Sequence, residues 1–367
     1  MLKELKKRKK PKVFVAMSGG VDSSVAALLL KKQGYQVVGV FMKFWAGVGA
    51  NENSCCSLEA RRDAMGVCAV LNIPFLTWDF RKEFKKAVVD DFISGYKKGI
   101  TPNPCVICNK EIKFGLFFKK AIKMGADYAA TGHYIRLRRK TPNFKFQTPN
   151  SRLFIAKDKN KDQSYFLWTL TQEQLKYCLF PIGDYTKDEV RALAKKYKLP
   201  VALKKESQEV CFVYDRDLSG FLKKYIQPRK GTIVELKSGK KIGEHQGVQF
   251  YTIGQRAPIG GTGPYYVVDK NLNKNQLMVI KKDNKNSIYK ELTLKDANWI
   301  SGQPPKSAKI LVRTRYRQPL VKCRAPSINR VSGIKVVFEK PQIFVAPGQS
   351  AVFYGKNKEL LGGGVII

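Results

Sequence analysis

A glycine- and serine-rich segment, SGGVDSS at residues 18–24, follows a short apolar run and precedes a helical stretch. Its glycines let the backbone curl closely around an anion, and the helix start offers unpaired N–H groups and a positive dipole end. The segment lacks the Gly-Lys-Ser/Thr end of a Walker A loop, so no lysine stands there to steer a γ-phosphoryl group. The pattern therefore favours holding pyrophosphate, with hydroxyl donors from Ser18, Ser23 and Ser24. The alternative is an ordinary Gly-Ser turn that caps a helix.

The cysteine thiols are the second set of side chains that could carry chemistry. The chain has eight cysteines, too few for a disulfide scaffold at this length. Cys105 and Cys108 form a C-x-x-C pair, which is typical of a redox couple or of half a zinc site, but the adjacent Cys55 and Cys56 are poorly spaced to complete one. Cys211 follows a polar stretch, and a basic setting favours the reactive thiolate. We expect Cys68, Cys178 and Cys323 to be buried small apolar residues.

The elements that must position these groups alternate between strand and helix. Apolar runs at residues 12–17, 36–42, 74–78 and 128–131 predict strands, and helical patterns at 25–32, 58–71, 83–96 and 110–124 separate them. This alternation predicts a parallel sheet covered on both faces. A further helix is predicted at 186–197, with Thr186 and Glu189 in capping-box spacing. After residue 228, frequent glycines and short alternating runs indicate β-rich domains.

Charge narrows the classes of partner. The 367 residues carry 68 Lys and Arg against 29 Asp and Glu, a net charge of +39. Such an excess attracts polyanions, chiefly nucleic acid or an anionic membrane surface, although a proteome rich in lysine would also produce it. No apolar run approaches the ~20 residues of a spanning helix, and no apolar region follows the basic first ten residues as in a secretory signal. We therefore expect a cytoplasmic protein without a membrane partner, and a basic arm at its start.

The SGGVDSS loop resembles the PP-loop of ATP pyrophosphatases, which adenylate a carbonyl oxygen and then displace AMP. Further segments narrow the resemblance to the tRNA-specific 2-thiouridylase family, whose members thiolate the wobble uridine of certain tRNAs. They are, in chain order, TPNPCVICNKEIKF at 101–114, TGHY at 131–134, KDQSY at 161–165, SQEVCFV at 207–213, YTIG at 251–254, RYRQ at 315–318 and PGQS at 347–350.

The resemblance implies an α/β fold with an N-terminal parallel-sheet PP-loop domain, like that of the adenine nucleotide alpha hydrolases, and two smaller β-rich domains, the last a β-barrel. We expect residues 1–215 to bind ATP and carry catalysis, residues 216–290 to form the central tRNA-contacting domain, and residues 291–367 to form the barrel. The implied partners are tRNA with a wobble uridine and an upstream persulfide donor, either a cysteine desulfurase or a relay protein. ATP with magnesium is the implied cofactor, and no tightly bound protein-ligated metal is expected.

The resemblance also assigns roles to individual residues. Cys108 is the expected nucleophile and Cys211 the expected persulfide carrier. The residues expected at the nucleotide are Ala16, Met17, Ser18, Gly19, Gly20, Val21, Asp22, Ser23, Met42 and Gly132. Those expected at the target base are Asn103, Pro104 and Cys105, and those expected at tRNA are His133, Lys161, Asp162, Gln163, Arg315, Tyr316 and Gln349.

The chain departs from the family pattern at Cys105, where many members have an aspartate linked to acid/base assistance and to contact with the target base. A thiol, with a reference pKa of about 8.5, does not replace a carboxylate of about 3.9 in proton transfer at neutral pH. The general acid/base is therefore open, as is a metal or iron–sulfur site formed by Cys105, Cys108 and Cys211. Asp22 has two interpretations, helix N-cap or indirect orientation of magnesium.

Two other functions are weighed against this one. A PP-loop synthetase that forms amides on a small acid would need neither distant paired cysteines nor tRNA affinity. A non-catalytic RNA-binding protein would keep the loop only as a relic.

Overall fold

The computed structural model describes residues 10–45, 47, 57–139, 151–206, 210–213, 217–260, 263–281, 289–305, 309–324, 326–329 and 333–367. Some sequence predictions lie outside these residues: most of the basic arm, the Cys55-Cys56 pair, and residues 207–209 of the SQEVCFV segment.

The α-helices are, in chain order, α1 (Val21–Lys32), α2 (Leu58–Val70), α3 (Arg81–Phe84), α4 (Asp90–Lys97), α5 (Pro104–Ile107), α6 (Phe118–Lys123), α7 (Gln172–Leu175), α8 (Lys187–Lys196) and α9 (Leu218–Lys223). π-Helical stretches at Lys85–Val89 and Cys108–Phe117 join α3 to α4 and α5 to α6.

The strands are β1 (Lys12–Met17), β2 (Gln36–Lys43), β3 (Phe75–Asp79), β4 (Tyr128–Ala130), β5 (Ile135–Arg139), β6 (Ser151–Ile155), β7 (Cys178–Leu179), β8 (Gly231–Glu235), β9 (Lys241–His245), β10 (Tyr265–Asn271), β11 (Gln276–Lys281), β12 (Tyr289–Trp299), β13 (Lys309–Arg313), β14 (Val321–Arg324), β15 (Ser327–Asn329), β16 (Gly333–Gln342), β17 (Ser350–Tyr354) and β18 (Glu359–Ile366).

The chain divides into two compact units. The first unit comprises Met1–Phe84, Asn109–Ser164 and Gln172–Phe212, and the second comprises Lys85–Cys108, Tyr165–Thr171 and Val213–Ile367.

A parallel sheet forms the centre of the first unit, with strand order β3-β2-β1-β4-β7. β1 is buried along almost its whole length, as expected for a strand covered on both faces. Helix α1 buries nine of its twelve residues, which explains why its sequence is apolar nearly all round. The predicted parallel sheet is confirmed, and β5 and β6 form an antiparallel hairpin in the same unit.

The second unit holds two β structures. β10-β11-β8-β9 form a small mixed sheet. In the described part of the chain, β12-β16-β14-β13-β17-β18 form an antiparallel barrel of six strands, closed by pairing of β12 with β18. Closure removes exposed strand edges. The expected β-rich second half, ending in a barrel, is thus confirmed.

Helix ends differ from the sequence prediction in instructive ways. The predicted capping box is present: Thr186 Oγ1 accepts from the Glu189 N–H at 3.3 Å, and the Glu189 carboxylate accepts from the Thr186 N–H at 2.6 Å. Helix α1 begins at Val21 rather than at residue 25, because extended Gly20 is its N-cap. The helix predicted at residue 110 already begins at Pro104, because Asn103 caps it and proline suits the first helical position.

Candidate active site

The glycine loop, residues 18–24, leaves the carboxyl end of β1 in the middle of the parallel sheet. β1 pairs with β2 on one side and with β4 on the other, so successive chain crossings diverge at this strand. Open parallel sheets bind ligands at such a switch point, outside the carboxyl ends of the strands. The loop therefore occupies the place where this class of sheet holds its ligand.

The two glycines of the loop do different work. Gly19 has φ +72°, and a Cβ there would collide with the backbone carbonyl of Ala60 in α2. Gly20 is extended, with φ −103°, and as the N-cap of α1 it supplies no side-chain hydrogen bond to the helix start. Glycine is thus required sterically at position 19. At position 20 it provides no side-chain acceptor, so the first N–H groups of the helix must find other acceptors.

The serine hydroxyls fold the loop on itself. Ser24 Oγ donates to the Gly20 carbonyl at 2.8 Å, and Ser24 is fully buried. Ser23 Oγ donates to the same carbonyl at 3.1 Å and lies 3.2 Å from the Ser18 hydroxyl. Ser24 is thus buried with its hydroxyl bonded to Gly20, whereas Ser18 is exposed, and donation to a ligand by Ser18, Ser23 and Ser24 stays a prediction.

Asp22 lies in the first turn of α1 rather than at its N-cap, so the capping interpretation is wrong. Its Oδ1 accepts from Tyr134 Oη at 2.8 Å and from Lys187 Nζ at 2.6 Å. Burial, and then the charge of Asp22, raise the pKa of Tyr134 well above its usual value, so the phenol stays a donor. Asp22 thus joins the glycine loop to the chain after β4 and to the start of α8.

Gly132 and Met42 lie at the ends of the strands beside the loop. A Cβ on Gly132 would stand 2.7 Å from the Ser23 nitrogen, so the chain after β4 packs directly on the start of α1. Met42 is buried near the end of β2, opposite Trp78 of β3. Their contact with nucleotide stays a prediction, as it does for Ala16, Met17 and Val21, which are buried beside the loop.

His133 is buried in the same unit. Its Nδ1 lies 2.8 Å from Thr131 Oγ1, and its ring lies 5.9 Å from that of Phe114. Burial, and secondarily the charge of Lys113, lower the pKa of His133 well below 6.5, so the imidazole is neutral at pH 7. Only 7% of the surface of His133 is exposed, and its contact with tRNA stays a prediction.

The three residues Lys161, Asp162 and Gln163 are engaged inside the first unit. Asp162 is buried and accepts from the Ala156 N–H at 3.0 Å. Gln163 exchanges hydrogen bonds with the backbone of Tyr134, each 2.9 Å long. Lys161 Nζ pairs with the Glu206 carboxylate at 2.5 Å. In the structure these residues organise the surroundings of the glycine loop, and their predicted contact with tRNA stays a prediction.

The segment expected to meet the target base belongs to the second unit. The Asn103 side chain accepts from the Val106 N–H at 3.4 Å, and Pro104 opens helix α5. Cys105 is exposed and Cys108 is buried, three residues further along the helix. Cys108 also begins a π-helical stretch, a feature that occurs often at functional sites.

Cys211 belongs to the first unit and is half-buried. Its neighbour Phe212 is buried, with its ring 5.9 Å from that of Phe84. Cys68, Cys178 and Cys323 are buried as predicted, and burial raises the pKa of each to about 12, so they are poor nucleophiles.

Gln349 binds the backbone just before Asn103, Pro104 and Cys105, the residues expected to meet the target base, which are called the target-base segment below. Its Nε2 donates to the Thr101 carbonyl at 2.9 Å, and the Thr101 N–H donates to the Pro347 carbonyl at 2.9 Å. Gly348, with φ +89°, allows this approach, since a Cβ there would lie 2.8 Å from the Thr101 oxygen. The PGQS turn therefore docks on the residues just before Asn103.

Arg315 and Tyr316 follow strand β13 in the second unit. Arg315 is exposed, and the Tyr316 ring packs 4.4 Å from that of Phe166. A cleft of about 410 Å³ lies beside Arg315, lined by residues from the first and last segments of this unit, including Tyr96, Thr101, Thr252, Arg315 and Gln349. Hydroxyl, amide and guanidinium groups of this kind bind phosphates and unpaired bases.

A metal centre has no built site in the described part of the chain, where no group of three or more His, Cys, Asp or Glu side chains is arranged to hold an ion. Within the same residues, no helix is long and apolar enough to cross a membrane.

Family models match the chain in three consecutive parts. They are described as a tRNA methyl transferase HUP domain over residues 11–215, a tRNA methyl transferase PRC-barrel domain over residues 219–281, and an aminomethyltransferase beta-barrel domain over residues 289–366.

Curated relatives align along nearly the whole chain. A tRNA-specific 2-thiouridylase of Buchnera aphidicola is 44% identical, covering 98% of this chain and 97% of its own length. Those of Blochmanniella floridana and Clostridioides difficile are 45% and 44% identical, each over 97% of this chain and over 96% and 98% of their own lengths. The chain belongs to the tRNA-specific 2-thiouridylase family. The family predicted from the motifs is thus confirmed, and so is the PP-loop fold class. Because these relatives align over whole chains, their name takes precedence over the methyl and aminomethyl transfer that the three domain descriptions suggest.

Sequence reasoning missed residues of this family member that the structure places at the glycine loop. Tyr134 and Lys187 bind Asp22, and Glu206 binds Lys187 at 3.2 Å. Tyr134 stands within the TGHY motif, so that signal was present. Lys187 was visible only as a residue after a helix cap, and Glu206 only as part of a polar stretch.

Proposed function

We propose that this protein makes 2-thiouridine at the wobble uridine of tRNA, in a reaction that consumes ATP. The observation that carries the proposal is the glycine loop at the switch point of a parallel sheet, in a chain whose full-length relatives are named tRNA-specific 2-thiouridylases. That combination also tells against an amide-forming synthetase and a non-catalytic RNA-binding protein. The proposed domains are residues 1–215, 216–290 and 291–367.

In the first half-reaction, the uridine O2 attacks the α-phosphorus of ATP and pyrophosphate leaves. The glycine loop holds the departing phosphates through backbone N–H groups and the Ser18 hydroxyl, at the positive end of α1. Asp22, held by Tyr134 and Lys187, would orient magnesium, which would supply neutralising charge on the phosphates. The product is an O2-adenylated uridine with a good leaving group.

In the second half-reaction, sulfur replaces that oxygen. The terminal sulfur of a Cys211 persulfide attacks carbon 2, and AMP leaves with the original O2. The Cys108 thiolate then attacks the Cys211 sulfur, so that the S–S bond to the transferred sulfur breaks and a Cys108–Cys211 disulfide forms. A thiol reductant must reduce this disulfide, and an upstream persulfide donor must reload Cys211, before the next turnover.

Uridine access costs little, because a wobble base is already unpaired and needs only to be unstacked. The Asn103–Pro104–Cys105 turn, held by Gln349, is the proposed contact for that base. Arg315 and Tyr316 are proposed to hold the anticodon backbone and a neighbouring base.

The test is thiolation of tRNA in a reconstituted reaction with ATP and a persulfide donor, with Cys211→Ser and the buried-thiol control Cys178→Ser. We expect Cys211→Ser to bind tRNA normally and to lose persulfide-dependent thiolation, and the control to retain it. Full activity of Cys211→Ser with that donor would contradict its role. Unchanged wobble thiolation in tRNA from a deletion strain, measured by mass spectrometry, would contradict the function itself.

A further inference from the structure

A chain of ion pairs runs from the glycine loop to the segment that precedes Cys211, all within the first unit. Lys187 Nζ lies 2.6 Å from Asp22 Oδ1 and 3.2 Å from Glu206 Oε1. The Lys187 side chain is only 9% exposed, whereas the Asp22 and Glu206 side chains are 34% and 23% exposed, so the lysine is the buried member of both pairs. Glu206 stands five residues before Cys211 in the sequence.

Lys187 is what allows the two carboxylates to be neighbours. Their oxygens lie 2.6 and 3.2 Å from one nitrogen, and therefore at most 5.8 Å from each other. Two carboxylates at that distance repel each other, and the Lys187 charge between them offsets that repulsion. The Lys187 backbone is itself fixed, because its N–H donates to Asp158 Oδ2 at 3.0 Å.

The outer end of the network is also held by cations. Lys161 Nζ lies 2.5 Å from Glu206 Oε2, and Arg191 Nη2 lies 3.5 Å from Glu206 Oε1. Burial raises the pKa of Glu206, but the bonds from Lys161 and Lys187 outweigh it and the net shift is downward, so the carboxylate stays ionised. An ionised carboxylate other than that of Asp22 thus anchors Lys187.

We propose that Lys187 and Glu206 are positioning residues for the nucleotide: Lys187 sets the Asp22 carboxylate in the first turn of α1, within the glycine loop, and Glu206 sets Lys187. The loop lacks the lysine of a Walker A motif, and α8 supplies a buried lysine to the loop's aspartate instead. The inference rests on the proposed function, since it takes ATP as the ligand of the loop.

The test is calorimetric titration of the full-length protein with Mg-ATP, which requires neither tRNA nor sulfur transfer. We expect Lys187→Met to weaken binding roughly tenfold, and Lys187→Arg, which keeps the charge, to lose less. The double variant Lys187→Met/Glu206→Gln should regain most of the affinity, because the Glu206 carboxylate no longer repels that of Asp22. Lys205→Met, at an exposed neighbouring lysine, is the matched control and should bind like the wild type.

Steady-state kinetics separate positioning from a general loss of structure. A positioning defect raises KM for ATP more than it lowers kcat, and the double variant reverses it. If Lys187→Met does not fold, Glu206→Gln alone carries the test, with an expected weakening of about fivefold.

Wild-type affinity in Lys187→Met, or in Glu206→Gln where that variant carries the test, would overturn the proposal. A double variant as weak as Lys187→Met would also overturn it, since Lys187 would then contact the nucleotide itself. Failure of the wild-type protein to bind Mg-ATP would instead refute the proposed function.

Discussion

Gly19 offers the sharpest test of how the glycine loop is built, through the substitution Gly19→Ala. Alanine at φ +72° costs about 1–2 kcal/mol in backbone strain. The added Cβ also meets the backbone carbonyl of Ala60, which has no side-chain rotamer to give way, so helix α2 must shift at a cost of about 1–3 kcal/mol. We therefore expect Gly19→Ala to lose about 2–5 kcal/mol of stability.

Gly20→Ala is the matched control in the same loop. Its φ of −103° suits any residue, and the nearest atom to an added Cβ is the Ser18 hydroxyl at 3.4 Å. The expected loss is about 1 kcal/mol or less, from the poorer N-cap.

The assay is urea unfolding of both variants, with hydrogen exchange of the α2 amides as a local probe. Exchange in α2 should quicken in Gly19→Ala and stay unchanged in Gly20→Ala. Free energies of unfolding of the two variants that agree within about 0.5 kcal/mol would refute the steric argument for Gly19.

Further predictions concern pH, proton transfer, docking and charge. Burial lowers the pKa of both His133 and His245 in the folded protein, so the unfolded chain binds more protons below about pH 6.5. The free energy of unfolding should therefore decrease as the pH is lowered below that value, by up to about 1.4 kcal/mol per pH unit for each histidine. Urea midpoints between pH 7.5 and 5.5 measure this, and a flat profile would contradict it. Cys105→Ser should lower kcat for thiolation about 100-fold or more while Cys105→Asp retains activity, if this position assists proton transfer; an active serine variant excludes that role. Gln349→Leu leaves the Thr101 carbonyl without its amide donor, so thiolation should fall while the Kd for ATP stays unchanged; an equal loss of ATP binding would contradict the separate docking of the target-base segment. Arg315→Gln should weaken tRNA binding and reduce the slope of log K against log salt by about one, and an unchanged slope would remove Arg315 from the phosphate contacts.

Local sequence rules were enough for the parallel sheet and for the glycine loop. β1 has the predicted bounds, Lys12–Met17, because an apolar run bounded by a turn fixes a buried strand without distant information. The Thr186 capping box could also be predicted from the sequence, since both partners lie within one helical turn.

What the sequence did not yield depends on contacts between distant residues. The Asp22–Lys187 pair spans 165 positions, and the bond from Gln349 to Thr101 spans 248. Asp22 was interpreted as a cap from its place near a helix start, but its carboxylate faces Tyr134 and Lys187 because Gly20 already forms the N-cap. The π-helical stretch from Cys108 likewise has no periodic signature that separates it from an α-helix.

These long-range bonds divide the tasks of the active site. In the first unit, Tyr134 and Lys187 bind Asp22 and Gln163 holds Tyr134, so the loop proposed to hold the nucleotide is fixed by side chains remote in sequence. In the second unit, Gln349 and the Gly348 turn fix the chain just before Asn103 and Cys105. The net charge of +39 adds long-range attraction for tRNA but selects no atom for reaction. Selectivity must therefore come from these two sets of neutral and paired groups. Salt should then weaken tRNA binding far more than it alters turnover once tRNA is bound.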